Sequence, residues 1–175
     1  MWIDWNINKS PLSIIELINK TTSKRITKAH KDIRIESYTQ EFVIKRLPLV
    51  NRVINFFTRN PVQVLFVKLN VKTINIKNNS SRKVILLFPY RPEMEVIGLG
   101  SILDLPIKVY SSTEDFMYRF AYDLNKSHNL YIDDTLKIKL DIALSIKPTK
   151  VYHDAALDKH IYHVLINIDK LKVKV

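Results

Sequence analysis

Apolar residues recur along the chain with periods that divide it into elements. Ser10-Pro11 reads as a helix N-cap followed by proline at the first helical position. Leu12, Ile14, Ile15, Leu17 and Ile18 behind it predict a short amphipathic helix ending near Asn19. Apolar periodicity then fades and positive charge rises, so residues 20–36 read as a basic, mobile connector with a short strand at Asp32–Ile35. Val43, Leu47, Val50, Ile54 and Phe57 follow at steps of four and three, the spacing of one helical face. Thr39 is the N-cap expected for that helix, and Pro48 must kink or divide it.

Asn60-Pro61 breaks the helical pattern. Leu65, Val67, Leu69 and Val71 alternate with Lys68, Asn70 and Lys72, which predicts a strand with one polar face. Ile74 and Ile76 change parity, so a bulge is expected near Lys72-Thr73. A turn at Asn78–Ser81 leads into a more buried strand, Arg82–Phe88, and then an extended loop at Pro89–Pro92. A strand near Leu105–Tyr110 precedes a helix that buries Phe116, Phe120 and Leu124, opened by a capping-box-like Ser112 and Asp115.

Past a turn at Asp133-Asp134, Leu136, Ile138, Leu140, Ile142, Leu144 and Ile146 alternate with polar or small residues without a miss, the pattern of a half-buried antiparallel strand. Ile161 to Val175 reads as a last strand with a bulge near Asp169-Lys170. Strands and helices come mixed, without a βαβ rhythm. The expected fold is therefore α+β, an antiparallel sheet of about five to six strands with helices packed on one face, in a single domain spanning residues 1–175.

Charge changes this picture most. Twenty-eight Lys and Arg oppose 17 Asp and Glu, a net +11, which attracts nucleic acid, anionic headgroups or an acidic protein face. Lys20, Lys24, Arg25, Lys28, Lys31 and Arg34 form the densest group, continued by Lys45, Arg46 and Arg52 on the expected helix. Lys137, Lys139, Lys172 and Lys174 occupy the polar parity of the expected strands, as do Lys68, Lys72 and Lys147, and would make a cationic sheet face. Lysine outnumbers arginine 20 to 8, a bias toward sequence-independent attraction over bidentate readout.

Other chemistry is sparse. With no cysteine there are no disulfides or thiolate zinc sites, and two glycines leave little room for a glycine-rich phosphate loop. His153, His160 and His163, with Asp154 and Asp158, are weak candidate metal ligands, because their spacing suits neither a helical nor a strand pair. No nucleophile elbow, Walker lysine or paired-carboxylate site is present, so neither catalysis nor a cofactor is expected. Trp2 and Trp5 could dock on a membrane surface or a partner.

The start has no signal-peptide pattern, and the longest apolar run, Val84–Phe88, is far shorter than the ~20 residues of a membrane span. The expected location is intracellular, soluble or peripheral to a membrane. Richness in Lys, Ile and Asn is that of an AT-rich coding sequence, such as many viruses carry.

The expected function is thus a non-enzymatic basic binding and assembly protein, of viral matrix type. It would bridge nucleoprotein and an anionic membrane and form weak homo-oligomers, within the virion if viral. An RNA- or DNA-binding accessory protein of silencing-suppressor or movement type is the alternative. A small metal-dependent hydrolase or nuclease built on the histidines is the third reading.

Overall fold

The computed structural model describes residues 11–46, 63–93, 97–145 and 155–171. Four strands, β1 (Ile33–Arg46), β2 (Gln63–Asn75), β3 (Ser80–Pro89) and β4 (Lys108–Ser111), form one antiparallel sheet in the order β1-β2-β3-β4. Six α-helices accompany it among the described residues: α1 (Ile14–Asn19), α2 (Ser23–Asp32), α3 (Leu99–Ile102), α4 (Ala121–Lys126), α5 (Asp134–Ser145) and α6 (Lys159–Ile166). A π-helix, Phe116–Phe120, runs directly into α4, and a 3₁₀ turn, Ile168–Leu171, follows α6. The α+β class stands, with four strands where five to six were expected.

The β2–β3 hairpin is the centre of the sheet. Its turn has no glycine. Instead Asn79 takes φ 50, and the Asn78 carbonyl Oδ1 accepts from the Ser80 amide at 3.2 Å and the Ser80 hydroxyl at 2.7 Å. The β2–β3 ladder runs unbroken from Phe66 opposite Pro89 to Asn75 opposite Ser80. The expected bulge is real but lies across the ladder, in β1, whose register against β2 shifts between Ile35 and Ser37, opposite Thr73 and Lys72. Val84 to Phe88 are buried whatever their parity, so both faces of β3 are covered. On one face His160 of α6 meets Thr73; on the other, the Lys68 ammonium sits 5.7 Å from the centre of the Tyr131 ring.

Several expected elements take another form. Residues 20–36 are not a connector: they hold α2 and the start of β1. Val43 lies in β1 and not on a helix, while Leu47 to Phe57 fall outside the described residues. The first helix begins at Ile14, capped by Ser13; the Ser10 expected there lies outside the described residues. Ser13 and Glu16 form a capping box, and the Ser13 amide hydrogen bond, followed by its hydroxyl, holds the Glu16 carboxyl below its ordinary pKa.

The two strands expected last are helices. In α5, Leu136, Leu140 and Leu144 stand four apart on the face turned to the core, with Leu140 fully buried, while Ile138 and Ile142 are exposed. Asp133 opens that helix, its Oδ1 accepting from the Leu136 amide at 3.0 Å. In α6, Ile161, Val164 and Leu165 are buried at helical spacing, and Ile168 of the 3₁₀ turn continues the stripe.

One continuous apolar core joins Leu17 of α1, Ala29 of α2, the sheet, Phe116 and Phe120 of the π-helix, and α6. Each large side chain buried there contributes about 1.5–3 kcal/mol relative to exposure.

Candidate anion-binding site

Three elements far apart in sequence meet around a pocket of ≈ 550 Å³. Helix α2 supplies Lys24, Arg25 and Lys28, the π-helix supplies Arg119, and α6 supplies Lys159. Among the described residues, Asp115 is the one carboxylate in the lining, and its Oδ1 pairs with Arg119 Nε at 3.0 Å.

The packing beneath the pocket explains why these cations converge. Ile26 and Ala29 are the only apolar residues of α2 and turn toward the core, which leaves Lys24, Lys28 and Lys31 at four- and three-residue steps on the surface. His163 of α6 places Nδ1 2.7 Å from the Ala29 carbonyl, and His30 packs edge-on against Tyr162, so α2 and α6 are tied side by side.

A second tie joins α6 to the π-helix. Asp158, 1 % exposed, caps α6 by accepting from the Ile161 amide at 2.7 Å, and its other oxygen accepts from the Thr113 hydroxyl at 2.8 Å. Thr113 in turn accepts from the Phe116 amide at 3.0 Å, so one buried carboxylate fixes the starts of both elements and sets Lys159 near Arg119. The Arg25 guanidinium lies 4.5 Å over the Phe120 ring, which orients it at the pocket wall. Thr22, the residue preceding α2, turns its hydroxyl to Arg25 Nη1 at 3.4 Å instead of capping the helix.

Among the described residues, no acid pairs with Lys24, Lys28 or Lys159. Among the described residues, the pocket is a concave concentration of positive charge in which Asp115 is the one carboxylate.

The structure gathers some of the expected site residues and scatters others. Lys24, Arg25 and Lys28 line the pocket. Lys31 is exposed in the last turn of α2, Lys20 follows α1 as its C-cap, and Arg34 on β1 lines a separate groove with His163 and Lys170. Lys45 and Arg46 end β1. Lys137 and Lys139 are exposed on α5, not on a strand, because the alternating segment folds as a helix; they cannot form a sheet face with Lys68 and Lys72. Trp2, Trp5, Arg52, Lys147, His153, Lys172 and Lys174 lie outside the described residues.

The sheet does carry lysines. Register puts Lys72 opposite Lys83, and Lys68 opposite Leu87, which faces Lys108, so all four lysines share one face. Lys68 lies 3.4 Å from Glu41, and Lys72 2.7 Å from Glu36. Lys108 is buried.

Among the described residues, His160 and His163 do not assemble with a third ligand, and no group of three or more His, Cys, Asp or Glu could hold a metal ion. Thr73 Oγ1 lies 3.2 Å from the Arg82 carbonyl and 2.8 Å from His160 Nδ1, which ties α6 to β2 and β3. Burial lowers the pKa of His160, Lys159, Arg82 and His163 lower it further, and Asp158 opposes them. Burial also lowers that of His163, against its bond to Ala29 and with help from His30 and Lys170.

Arg119 and Lys159 were not legible as site residues, since tertiary ties bring them beside α2: His163 to Ala29 for α6, and Thr113 to Asp158 for the π-helix. Helix α2 itself could have been found: Ile26, Ala29 and Ile33 stand at steps of three and four. Among the described residues, no helix is long and apolar enough to cross a membrane. No family model, no curated protein and no solved structure matches the chain.

Proposed function

We propose that the chain is a non-enzymatic binding and assembly domain that docks polyanions on its α2 face, of the kind a viral matrix protein uses between nucleoprotein and an anionic membrane. The observation that carries this reading is the convergence of five cations from three elements around one carboxylate. A field of that shape draws phosphate-bearing surfaces without reading their sequence.

Self-association has its own support. Strand β1 stands at the edge of the sheet and leaves Phe42 48 % and Ile44 64 % exposed, a surface suited to weak contact with a second copy. A second reading, an RNA- or DNA-binding accessory protein, is favoured by Tyr118. It is exposed beside Arg119 in the π-helix, where an aromatic face next to a cation could stack a base.

The test is binding of the full chain to heparin, to a single-stranded oligonucleotide and to phosphatidylserine vesicles across a salt series. Binding that weakens steeply with salt and drops in the Lys24→Ala/Lys28→Ala variant supports the reading. Absence of binding at low salt, or binding indifferent to that variant, overturns it.

A further inference from the structure

Resting on that reading, we infer that the pocket between α2, the π-helix and α6 is a discrete site for one compact polyphosphate carrying about four negative charges, such as the triphosphate group of a nucleotide. The pocket has the scale of a small-molecule site, ≈ 550 Å³ against the roughly 300–1,000 Å³ of such cavities. Its lining is not the apolar one that a neutral ligand needs. Among the described residues, five cations and one carboxylate line the pocket.

The arrangement of that charge distinguishes a compact ligand from a long one. A long polyanion can follow the stripe that Lys24, Lys28 and Lys31 make along α2. Arg119 and Lys159 line the same pocket from two other elements, which concentrates charge beyond what that stripe supplies. Cations held this close repel one another, and an anion whose charges are equally concentrated relieves that repulsion most.

The chemistry of the donors agrees. Lysine ammonium groups are point donors suited to phosphate oxygens, and an arginine held flat over a ring offers a planar fork at a set angle. The Arg25 guanidinium carbon lies 4.5 Å from the centre of the Phe120 ring. Thr22 lines the pocket at the start of α2 without capping it, so the positive end of that ten-residue helix adds to the same field. Bound there, the ligand would bridge α2 to α6 and tighten the contact that His163 and Ala29 already make.

Calorimetric titration of the full chain at low ionic strength tests this with orthophosphate, pyrophosphate, tripolyphosphate, ATP and citrate. The expected result is saturable one-to-one binding of tripolyphosphate, about tenfold or more tighter than pyrophosphate, with citrate weaker than either. ATP tighter than tripolyphosphate would assign a nucleotide as the source, and equal affinity the polyphosphate alone. Lys159→Ala and Lys28→Ala should each weaken tripolyphosphate about tenfold, with melting temperatures unchanged, and Lys137→Ala/Lys139→Ala on α5 should not.

The inference is overturned if tripolyphosphate binds no tighter than orthophosphate, if citrate matches it, or if Lys159→Ala leaves it unchanged. Should that happen while oligonucleotide or heparin binding still depends on Lys24 and Lys28, the polyanion-docking reading stands without the discrete site. If neither kind of ligand binds, both fall.

Discussion

On β2, Lys68 and Lys72 each have an acid within reach: Glu41 directly across the strand pair at 3.4 Å, and Glu36, in the bulge of β1, at 2.7 Å. On α2, Lys24 and Lys28 stand one helical turn apart and have Arg119 and Lys159 as pocket neighbours. Like charges at that spacing destabilise a helix by about 0.2–0.5 kcal/mol, whereas opposite charges across a strand pair stabilise by a similar amount. The two regions hold similar lysine counts, but Lys68 and Lys72 are each paired with an acid, and among the described residues Lys24 and Lys28 are not. A charge excess therefore locates a binding surface only after cross-strand and helical neighbours have been paired off.

The strongest way to break this contrast is charge reversal on α2. Lys24→Glu/Lys28→Glu should weaken polyanion binding by about a hundredfold or more at low salt, with the melting temperature nearly unchanged. Fluorescence anisotropy with a labelled oligonucleotide measures the first and circular dichroism the second. The same reversal at Lys68 and Lys72 should cost far less affinity.

The next effect concerns what holds the pocket together. Asp158→Ala removes a helix cap and the partner of a buried Thr113 hydroxyl, and should lower unfolding free energy by about 2–3 kcal/mol in denaturant titration. No comparable loss is expected from Lys72→Ala, whose ion pair with Glu36 is on the surface.

pH sharpens the contrast further, because α6 carries a buried His160 against the sheet and a half-buried His163 against α2, and the lysine face of β2 carries none. His160 and His163 have pKa values below the ordinary histidine value. The unfolded chain therefore takes up protons that the native state resists. Stability is complete above about pH 6.5 and declines as pH falls below it. The melting temperature should drop by a few degrees between pH 7 and pH 5, and the drop should shrink in His163→Asn, whose amide can still donate to the Ala29 carbonyl.

The smallest effect is a gain. Glu36→Gln/Glu41→Gln would release Lys72 and Lys68 and should raise polyanion affinity only about two- to threefold, read by the same anisotropy assay. A gain as large as the loss on α2 would show that the sheet is an equal partner.

How far the sequence reaches differs between the same regions. The β2–β3 hairpin was legible because alternation, a polar Asn-Asn-Ser-Ser turn and a second apolar run all agree on one structure. α5 was not, for a geometric reason. Strict alternation also places an apolar residue at every fourth position, so Leu136, Leu140 and Leu144 satisfy a helix as fully as a strand. What separates the two is Asp133 as a cap and the choice of leucine for the buried row, with Ile138 and Ile142 left exposed.

In α6 the stripe Ile161, Val164, Leu165 and Ile168 competed with a strand parity that contains Tyr162, Val164, Ile166 and Ile168. Burial of His160 and Tyr162 beside that stripe, facing the sheet and α2, settles it as a helix. Of the site, the α2 cations were visible as a basic run. Arg119 and Lys159 join them through tertiary contacts that no local pattern encodes.

The central claim is that polyanion attraction resides in the α2 pocket and not in the basic composition at large. The most direct measurement is the slope of log affinity against log salt for one oligonucleotide, compared among the unmodified chain, Lys24→Ala/Lys28→Ala/Lys159→Ala and Lys68→Ala/Lys72→Ala/Lys83→Ala. Each lysine that neutralises a phosphate contributes about 0.7 to 0.9 to the slope. The pocket variant should lose about two to three units of slope and the sheet variant less than about one. Equal losses in the two variants, or none in the first, would contradict the account.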